Sequence, residues 1–292
     1  MKIAVFGKLI TLESRPFIEK LHNDLLEIGA EITVYKRLNR FIREHCDLGL
    51  DFNEFSNHSE LLEAQPDFLV TMGGDGTILD AVTLIRDSGI PILGINTGRL
   101  GFLSNVSKEK ITDAIQALHA NNFSIDERFV LALDTPDLNL EMPFALNEVT
   151  VSRKDTTAMV TVHTWINGEY LNSYWADGLI ISTPTGSTGY SLSCGGPIIM
   201  PGSESFAITP IAPHNLNVRP FVIPNDYKIK LKVEGREKQF LVSLDSRIYA
   251  LDSGSELEVS LGTFRIRLVK TEIQNFAETL RNKLLWGLDR RN

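Results

Sequence analysis

The sequence predicts an α/β domain with a parallel sheet, followed by a β-rich, sandwich-like domain. Residues 1–121 alternate short apolar runs with helical periods, which is typical of parallel strands joined by helices. Residues 122–272 form short alternating segments without long helices, which is typical of a sandwich. An amphipathic segment at 273–292 needs a surface to cover, so we expect it to pack back on the first domain.

The first domain begins with an apolar run at residues 2–7 and continues with a helical pattern at 14–28, whose apolar residues recur at every fourth position. The same patterns predict strands at 31–35, 67–72 and 90–95 and helices at 77–88 and 107–121. The mixed, polar stretch 37–57 shows neither period. We therefore expect a mobile loop there.

Alternating segments in the second domain predict strands at 128–133, 145–152, 159–166, 227–233, 239–244, 256–261 and 263–269. Asn167-Gly168 between two such runs predicts a hairpin with a type I′ turn. The last predicted helix, 273–285, carries Ile273, Phe276, Leu280 and Leu284 on one stripe.

Composition and charge exclude several classes of protein. Hydrophobic residues make up 43% of the 292 residues, an ordinary globular value. Lys and Arg number 29 against 37 Asp and Glu, and the net charge of −8 disfavours binding to nucleic acid or an anionic membrane. Every apolar run is shorter than the roughly 18 residues that cross a bilayer. Cys46 and Cys194 show no paired spacing and the opening lacks a signal-peptide core, so we expect a cytoplasmic protein.

The segment Gly73-Gly74-Asp75-Gly76 lies between a predicted strand and a predicted helix. Glycines there allow a ligand to approach the backbone, and the following helix N-terminus favours phosphate. A tight turn with Asp75 as a helix cap explains the spacing equally well. A carboxylate among these glycines is unusual for a bare anion site, and it indicates a base or a Mg²⁺ contact.

Residues 177–197 form a strand that runs into a loop rich in Gly, Ser and Thr. The loop lacks the lysine of a Walker A sequence, yet a long polar loop inside a domain is more typical of function than of a linker. Asn147-Glu148 is a second candidate. On spacing alone it is better explained as a surface pair, because neighbouring strand residues face opposite sides unless the strand ends there.

The sequence argues against a histidine metal site and against a Rossmann dinucleotide site. The six histidines show no metal-ligand spacing, so no protein-bound metal is predicted. No G-x-G-x-x-G follows the first strand, which disfavours a Rossmann dehydrogenase. Trp175 is explained as a packing or lid residue, or as a residue that flanks a ligand.

Four segments together resemble the bacterial NAD kinase (ATP-NAD kinase) family: GGDG at 73–76, NTGRLGFL at 96–103, Asn147-Glu148, and TPTGSTGYSLSCGGP at 183–197. GGDG alone is shared with diacylglycerol-type lipid kinases and phosphofructokinases. The combination is specific, and it spans nearly the whole chain.

The resemblance implies transfer of the γ-phosphoryl group of ATP, or of polyphosphate in some members, to the 2′-hydroxyl of the adenosine ribose of NAD. Asp75 is the implied base. The implied binding residues are Gly73, Gly74, Gly76, Asn147, Glu148, Trp175, Asp177, Thr188, Gly189, Tyr190, Ser191, Leu192 and Ser193. The family also implies Mg²⁺ bound mainly through the nucleotide phosphates, and a homodimer or homotetramer. Many members differ at Trp175 and have Gln at Arg247, so the preference for NAD or NADH does not transfer.

Two other functions stay open. A lipid kinase shares GGDG and a β-rich second domain, but it needs a basic or apolar docking surface that the acidic composition disfavours. A dinucleotide sensor without turnover keeps the pocket, and the retained Asp75 argues against it. An assay for NADP formed from NAD, ATP and Mg²⁺ separates these functions.

Overall fold

The computed structural model describes residues 1–8, 10–46, 48, 52–98, 101–104, 106–155, 158–271 and 276–286. Its helices are α1 (Arg15–Glu27), α2 (Lys36–His45), α3 (His58–Glu63), α4 (Asp75–Ile85), α5 (Ile111–His119), α6 (Tyr190–Ser193) and α7 (Phe276–Leu284). Its strands are β1 (Lys2–Phe6), β2 (Glu31–Tyr35), β3 (Asn53–Phe55), β4 (Phe68–Met72), β5 (Ile92–Asn96), β6 (Val106–Ser107), β7 (Ser124–Asp134), β8 (Phe144–Ala145), β9 (Glu148–Arg153), β10 (Val160–Ile166), β11 (Glu169–Ala176), β12 (Gly178–Ser182), β13 (Ser205–Ile211), β14 (Phe221–Pro224), β15 (Ile229–Gly235), β16 (Gln239–Leu244), β17 (Arg247–Asp252) and β18 (Glu256–Lys270).

The chain divides into two compact units, Met1–Glu127 with Ile266–Asn292, and Arg128–Arg265. The first unit contains a parallel sheet in the order β5-β4-β1-β2-β3, and β6 and the end of β18 pair in parallel with β5. Apolar residues of α1, α2 and α5 share one core with the sheet, including Leu21, Ile42 and Ile115. The predicted α/β fold is confirmed.

The prediction of a mobile loop at 37–57 is wrong, because most of this stretch forms α2 and β3. Leu38 and Ile42 lie four residues apart on α2 and are both buried. Phe41 is the third apolar residue of α2 and is only partly buried, and the surrounding Lys, Arg and Asn residues hid the helical period. β3 is only three residues long and gains its stability from pairing with β2.

The second unit is a β-sandwich, as predicted. One sheet runs β14-β13-β12-β9-β16-β17 with every neighbouring pair antiparallel. The other contains β11-β10-β15-β18, with β7 and β8 at its side. Val151 and Val242 of the first sheet and Val162 and Val233 of the second lie in one buried core. These residues alternate with outward-facing ones, which is what two packed antiparallel sheets require.

Three details of this unit differ from the expected elements or refine them. The predicted strands 256–261 and 263–269 form one continuous strand, β18, that runs through Gly262. A side chain at Gly262 would overlap Val130, so glycine is what allows β18 to pass this close to Val130. The expected strand 145–152 is interrupted between β8 and β9. The predicted type I′ turn is confirmed, since Asn167 and Gly168 both have positive φ, 49° and 84°.

The C-terminal helix α7 belongs to the first unit, as expected. Leu280 is buried, and the Phe276 ring lies 6.2 Å from the ring of Phe102. Ile273, part of the predicted stripe, is outside the described residues. Within the described parts of the chain, no helix is long and apolar enough to cross a membrane.

Candidate functional site

The glycine turn at 73–76 joins the end of β4 to the start of α4. Gly73 has a φ of 152°, and a side chain there would overlap the side chain of Thr77. This position therefore requires glycine. A side chain added at Gly74 or Gly76 would meet no atom of the described residues within 4 Å. The absence of side chains at these two positions leaves room for a ligand beside the backbone.

The Asp75 carboxylate binds the loop formed by residues 101–104. Oδ2 accepts the backbone N–H of Phe102 at 2.8 Å, and Oδ1 accepts those of Leu103 and Ser104 at 3.0 Å each. A side chain at Gly101 would overlap this carboxylate. Asp75 is the first residue of α4, whose N-cap is Gly74 with no side-chain capping bond. The structure therefore supports a loop-anchoring role rather than a cap.

The carboxyl ends of β4 and β5 bring this loop and the glycine turn together. Ser104 Oγ donates to the Gly73 carbonyl at 3.0 Å, and the Gly73 N–H donates to the Ile95 carbonyl at 2.9 Å. Asn96 Oδ1 accepts the Gly98 N–H at 2.8 Å. The carboxyl edge of a parallel sheet is where α/β proteins bind their ligands.

Lys8 follows β1, the neighbour of β4 in the same sheet, and so lies at the same edge. Its ammonium is 3.0 Å from Asp80 Oδ1 on α4. The sequence analysis missed this cation because it searched for a lysine only within the glycine-rich loops. The signal was available, since Lys8 comes directly after the apolar run predicted to be a strand, residues 2–7.

In the second unit, Asn147 comes immediately before β9 and Glu148 begins it. The pair therefore lies at one end of β9 rather than inside it. At a strand end, neighbouring side chains can face the same ligand. Asn147 Oδ1 and Glu148 Oε2 are buried and have no hydrogen-bond partner among the described residues. Buried polar atoms are nearly always satisfied, so these two oxygens indicate a polar ligand.

Burial raises the pKa of the Glu148 carboxyl to about 8, and the nearby Asp245 carboxylate adds to this effect. The backbone N–H of Tyr190 donates to Glu148 and opposes the rise in its pKa. Removal of a carboxylate from water disfavours its charged form. The Glu148 carboxyl is therefore protonated at neutral pH.

Asp245 holds the backbone of this turn, and the sequence analysis missed it. Its carboxylate accepts the N–H groups of Leu146 at 2.9 Å, Asn147 at 2.7 Å and Glu148 at 3.2 Å. Asp245 is about 100 residues away along the chain, in a short hairpin turn without a distinctive spacing. No signal in a single sequence could have connected it to Asn147-Glu148.

The hydroxyl-rich loop after β12 packs on the same turn. A side chain at Gly186 would overlap the Asn147 backbone, and one at Gly189 would lie 3.2 Å from Glu148 Oε2. Thr188 Oγ1 donates to the Thr185 carbonyl. Buried Ser191 forms a hydroxyl–hydroxyl bond to Thr209 at 3.0 Å, so it supports the loop from within.

The residues around Tyr190 belong to the same hydroxyl-rich loop. Leu192 is partly buried and Ser193 is exposed. Burial raises the pKa of the Tyr190 phenol, and the nearby groups of Cys194, Asp177 and Glu148 add to that rise. Asp177 Oδ2 also pairs with the Arg153 guanidinium at 3.0 Å. The structure thus brings most of the predicted binding residues of the second unit into one neighbourhood.

Trp175 packs against a histidine ring instead of the residues around Tyr190. It is 43% exposed on β11, and its ring centroid is 4.3 Å from that of His214. Its strand neighbour is Thr161 on β10.

Protein ligands for a metal are a separate question. In the parts of the chain that are described, no group of three or more His, Cys, Asp or Glu residues could hold a metal ion.

Comparison with known proteins places this geometry in context. Residues 146–271 match the family model for the ATP-NAD kinase C-terminal domain, and residues 19–123 match that for the ATP-NAD kinase N-terminal domain. The NAD kinase of Flavobacterium psychrophilum is 49% identical over 100% of both chains, and that of Bacteroides fragilis is 42% identical over 100% of both.

Two solved structures are similar in fold. Yeast NADH kinase, solved in complex with NADH, has a TM-score of 0.86 and 26% identity, covering 99% of this chain and 88% of the other. An NAD kinase from Archaeoglobus fulgidus, solved in complex with ATP, has a TM-score of 0.76 and 26% identity, covering 98% and 99%.

Proposed function

The chain belongs to the ATP-NAD kinase family, and from that premise we propose how its residues transfer the γ-phosphoryl group of ATP to the adenosine 2′-hydroxyl of NAD, giving NADP. One observation carries the assignment of the dinucleotide site. Asn147 Oδ1 and Glu148 Oε2 are buried without a partner among the described residues, beside a loop rich in hydroxyls. Such oxygens fit a ligand that carries many hydrogen-bonding groups, as a dinucleotide does.

Asp75 is the base of this proposal. It orients the 2′-hydroxyl and accepts its proton while the bond to phosphorus forms. Gly74 and Gly76 support the assignment, since the open space beside them can admit a ribose. Gly73 keeps the turn tight through its positive φ. The carboxylate already binds the 101–104 loop, so substrate and loop share its oxygens.

Asn147 and Glu148 bind the ribose or base edges of the dinucleotide. The loop residues that surround them in this proposal are Thr188, Gly189, Tyr190, Ser191, Leu192 and Ser193. Gly189 supports it by leaving space beside Glu148 Oε2. Asp177 is assigned to the nicotinamide end through its position near Tyr190.

Trp175 is proposed to line the nicotinamide end of the dinucleotide. Its exposed indole can attract the positive ring of NAD⁺ by roughly 0.5–2 kcal/mol. The ring of His214 already packs against this indole, so the two rings together form the aromatic wall.

ATP enters as its magnesium complex in this proposal, with the ion held mainly by the nucleotide phosphates. Lys8 supplies a positive charge at the edge that holds the glycine turn, where it can approach the triphosphate. The residues give no reason to route a step through a protein-bound ion.

We also propose a cytoplasmic homodimer or homotetramer. Both cysteines are free thiols, which suits a reducing compartment. Tyr170 is exposed on β11, at the edge of its sheet, and the unpaired backbone groups of an edge strand can pair with another chain. Light scattering of the purified protein measures the assembly directly.

The experiment that tests the reaction incubates the protein with NAD, ATP and Mg²⁺, and detects NADP with an NADP-specific dehydrogenase. We expect NADP to accumulate with NAD as acceptor and not to form when NAD is replaced by an emulsified diacylglycerol. If the folded protein binds NAD but forms no NADP, the proposed function is wrong.

A further inference from the structure

We propose that Asp245 and Arg247 are positioning residues that hold the Asn147-Glu148 turn and keep the Glu148 carboxyl as a neutral hydrogen-bond donor toward the dinucleotide. The inference rests on the proposed function of that turn. It concerns two residues that contact no substrate in this proposal and act through the turn alone.

Asp245 is connected to the turn by four hydrogen bonds. Its carboxylate accepts three consecutive backbone N–H groups, from Leu146, Asn147 and Glu148. Its own backbone N–H donates to the Glu148 carbonyl at 3.0 Å. The side chain is 5% exposed, so water cannot replace these bonds. Asp245 has a φ of 51°, a left-handed conformation that aspartate tolerates better than most residues.

Arg247 holds the segment that leads into the turn. Its guanidinium donates to the Met142 carbonyl at 2.6 Å and to the Phe144 carbonyl. The same group lies 5.0 Å from the centre of the Phe144 ring. It is also 3.9 Å from Asp245 Oδ2, which gives the buried carboxylate a nearby positive charge. The two side chains therefore hold the chain on both sides of residue 145.

Burial raises the pKa of the Asp245 carboxyl, whereas its three N–H donors and the Arg247 guanidinium lower it. These contacts make Asp245, rather than Glu148, the carboxyl group that carries the negative charge. Asp245 has three N–H donors and the Arg247 guanidinium, whereas Glu148 Oε2 has no donor among the described residues. The other titratable groups near Glu148 are the Tyr190 phenol and the Cys194 thiol, with Asp177 acting on Tyr190. None of these neighbours is cationic, so a second negative charge on Glu148 is disfavoured.

Burial and the charge of Asp245 both raise the pKa of Glu148, which agrees with this geometry. A protonated carboxyl can donate through one oxygen while the other accepts the Tyr190 N–H. The donor suits an acceptor on the ligand, such as a ring nitrogen of adenine or an ether oxygen of ribose. An ionised Glu148 would present an acceptor at that place and repel it.

The test measures NAD affinity by calorimetry between pH 6 and pH 9.5 in the wild type, Asp245→Asn and Glu148→Gln. We expect wild-type affinity to fall as the pH passes about 8, where Glu148 loses its proton. The affinity of Glu148→Gln should not vary over this range. In Asp245→Asn the fall should begin at lower pH, and the KM for NAD at pH 7 should rise about 10-fold or more with a smaller change in kcat.

Asp252→Asn is the matched control, because Asp252 ends the same hairpin, is exposed, and should leave every one of these values unchanged. If Asp245→Asn does not fold, Arg247→Gln tests positioning with the carboxylate intact and should also raise the KM for NAD more than it lowers kcat. The infrared band of a protonated carboxylic acid, lost in Glu148→Gln, reports the proton without any turnover. It therefore separates this inference from the proposed function.

Two results would overturn the proposal: no protonated-acid band assignable to Glu148 at pH 7, or an Asp245→Asn variant that keeps the wild-type KM and pH profile.

Discussion

The Asp75 carboxylate meets two demands, since it anchors a loop and is proposed to accept a proton. Among the described residues, Oδ1 accepts two backbone N–H groups, whereas Oδ2 accepts that of Phe102 alone. A carboxylate oxygen has two lone pairs, so Oδ2 keeps one for the ribose hydroxyl. The loop bonds then act as a fixed support that aims this oxygen.

We predict that Asp75→Asn lowers kcat by about 10² to 10⁴, because the amide cannot accept the hydroxyl proton. An amide also keeps only one acceptor oxygen, so one loop N–H loses its bond and the free energy of unfolding falls by about 1–3 kcal/mol. Thermal melting and steady-state kinetics measure the two effects.

Ser104→Ala is the control for the loop, because it removes the bond to the Gly73 carbonyl and leaves the Asp75 carboxylate in place. We expect a similar loss of stability with a much smaller loss of kcat. An Asp75→Asn protein that is destabilised but turns over near the wild-type rate would assign Asp75 to structure alone.

Glu148 should make stability depend on pH. Its pKa is about 8 in the folded protein and near 4.5 when unfolded, so the unfolded chain loses the proton first as the pH rises. The contribution of the Glu148 proton to the free energy of unfolding is complete below pH 4.5 and is lost progressively up to about pH 8. Chemical denaturation should show that the stability of wild type relative to Glu148→Gln falls by a few kcal/mol between pH 5 and pH 8. If the free energies of unfolding of wild type and Glu148→Gln differ by the same amount at pH 5 and at pH 8, the pKa of Glu148 is not raised.

The loop at 101–104 and the glycine turn form one functional element, although about 25 residues separate them. Each depends on glycine for a different reason. Gly73 needs its positive φ, while Gly101 needs the absence of a side chain because the Asp75 carboxylate occupies that space.

We predict that Gly101→Ala displaces the Asp75 carboxylate, lowers stability by about 1–3 kcal/mol and reduces kcat at least tenfold. Gly98→Ala is the matched control in the same segment, since among the described residues its new methyl group would meet only Asn96 Oδ1, at 3.9 Å. Melting temperature and kcat of both variants test this. Equal effects of the two substitutions would show that Asp75 and the loop are not coupled.

The molecule as a whole is acidic, with a net charge of −8, and its substrates are polyanions. Two unit charges at 4 Å interact by roughly 4 kcal/mol at an effective dielectric of 20, so Asp75 near a triphosphate needs a cation between them.

We therefore predict that activity requires a divalent cation, Mg²⁺ in the first place. Excess EDTA should abolish NADP formation, and added Mg²⁺ should restore it. Melting in EDTA should stay unchanged, because the ion is held by the nucleotide. Full activity in EDTA would contradict the prediction.

Local patterns in the sequence were sufficient to predict the α/β alternation, the β-rich second half and the Asn167-Gly168 turn. Each of these depends on residues close in the chain, where period and turn chemistry are visible. The short polar helix α2 was missed, because Leu38 and Ile42 are its only buried apolar residues and polar or charged residues surround them. The residues alone singled out the GGDG turn and the Asn147-Glu148 pair, and the family resemblance that they carry with the later loop then favoured a functional role for both.

By itself the sequence determined the fold class, the family and the segments that hold the proposed chemistry. Only the tertiary structure decided how those segments are held: Asp75 by the 101–104 loop, and Asn147-Glu148 by Asp245 and Arg247. The physical reason is that hydrogen bonds between residues 25 to 100 positions apart leave no period or spacing in the chain. Burial, which raises the pKa of Glu148, is likewise a property of the packed molecule.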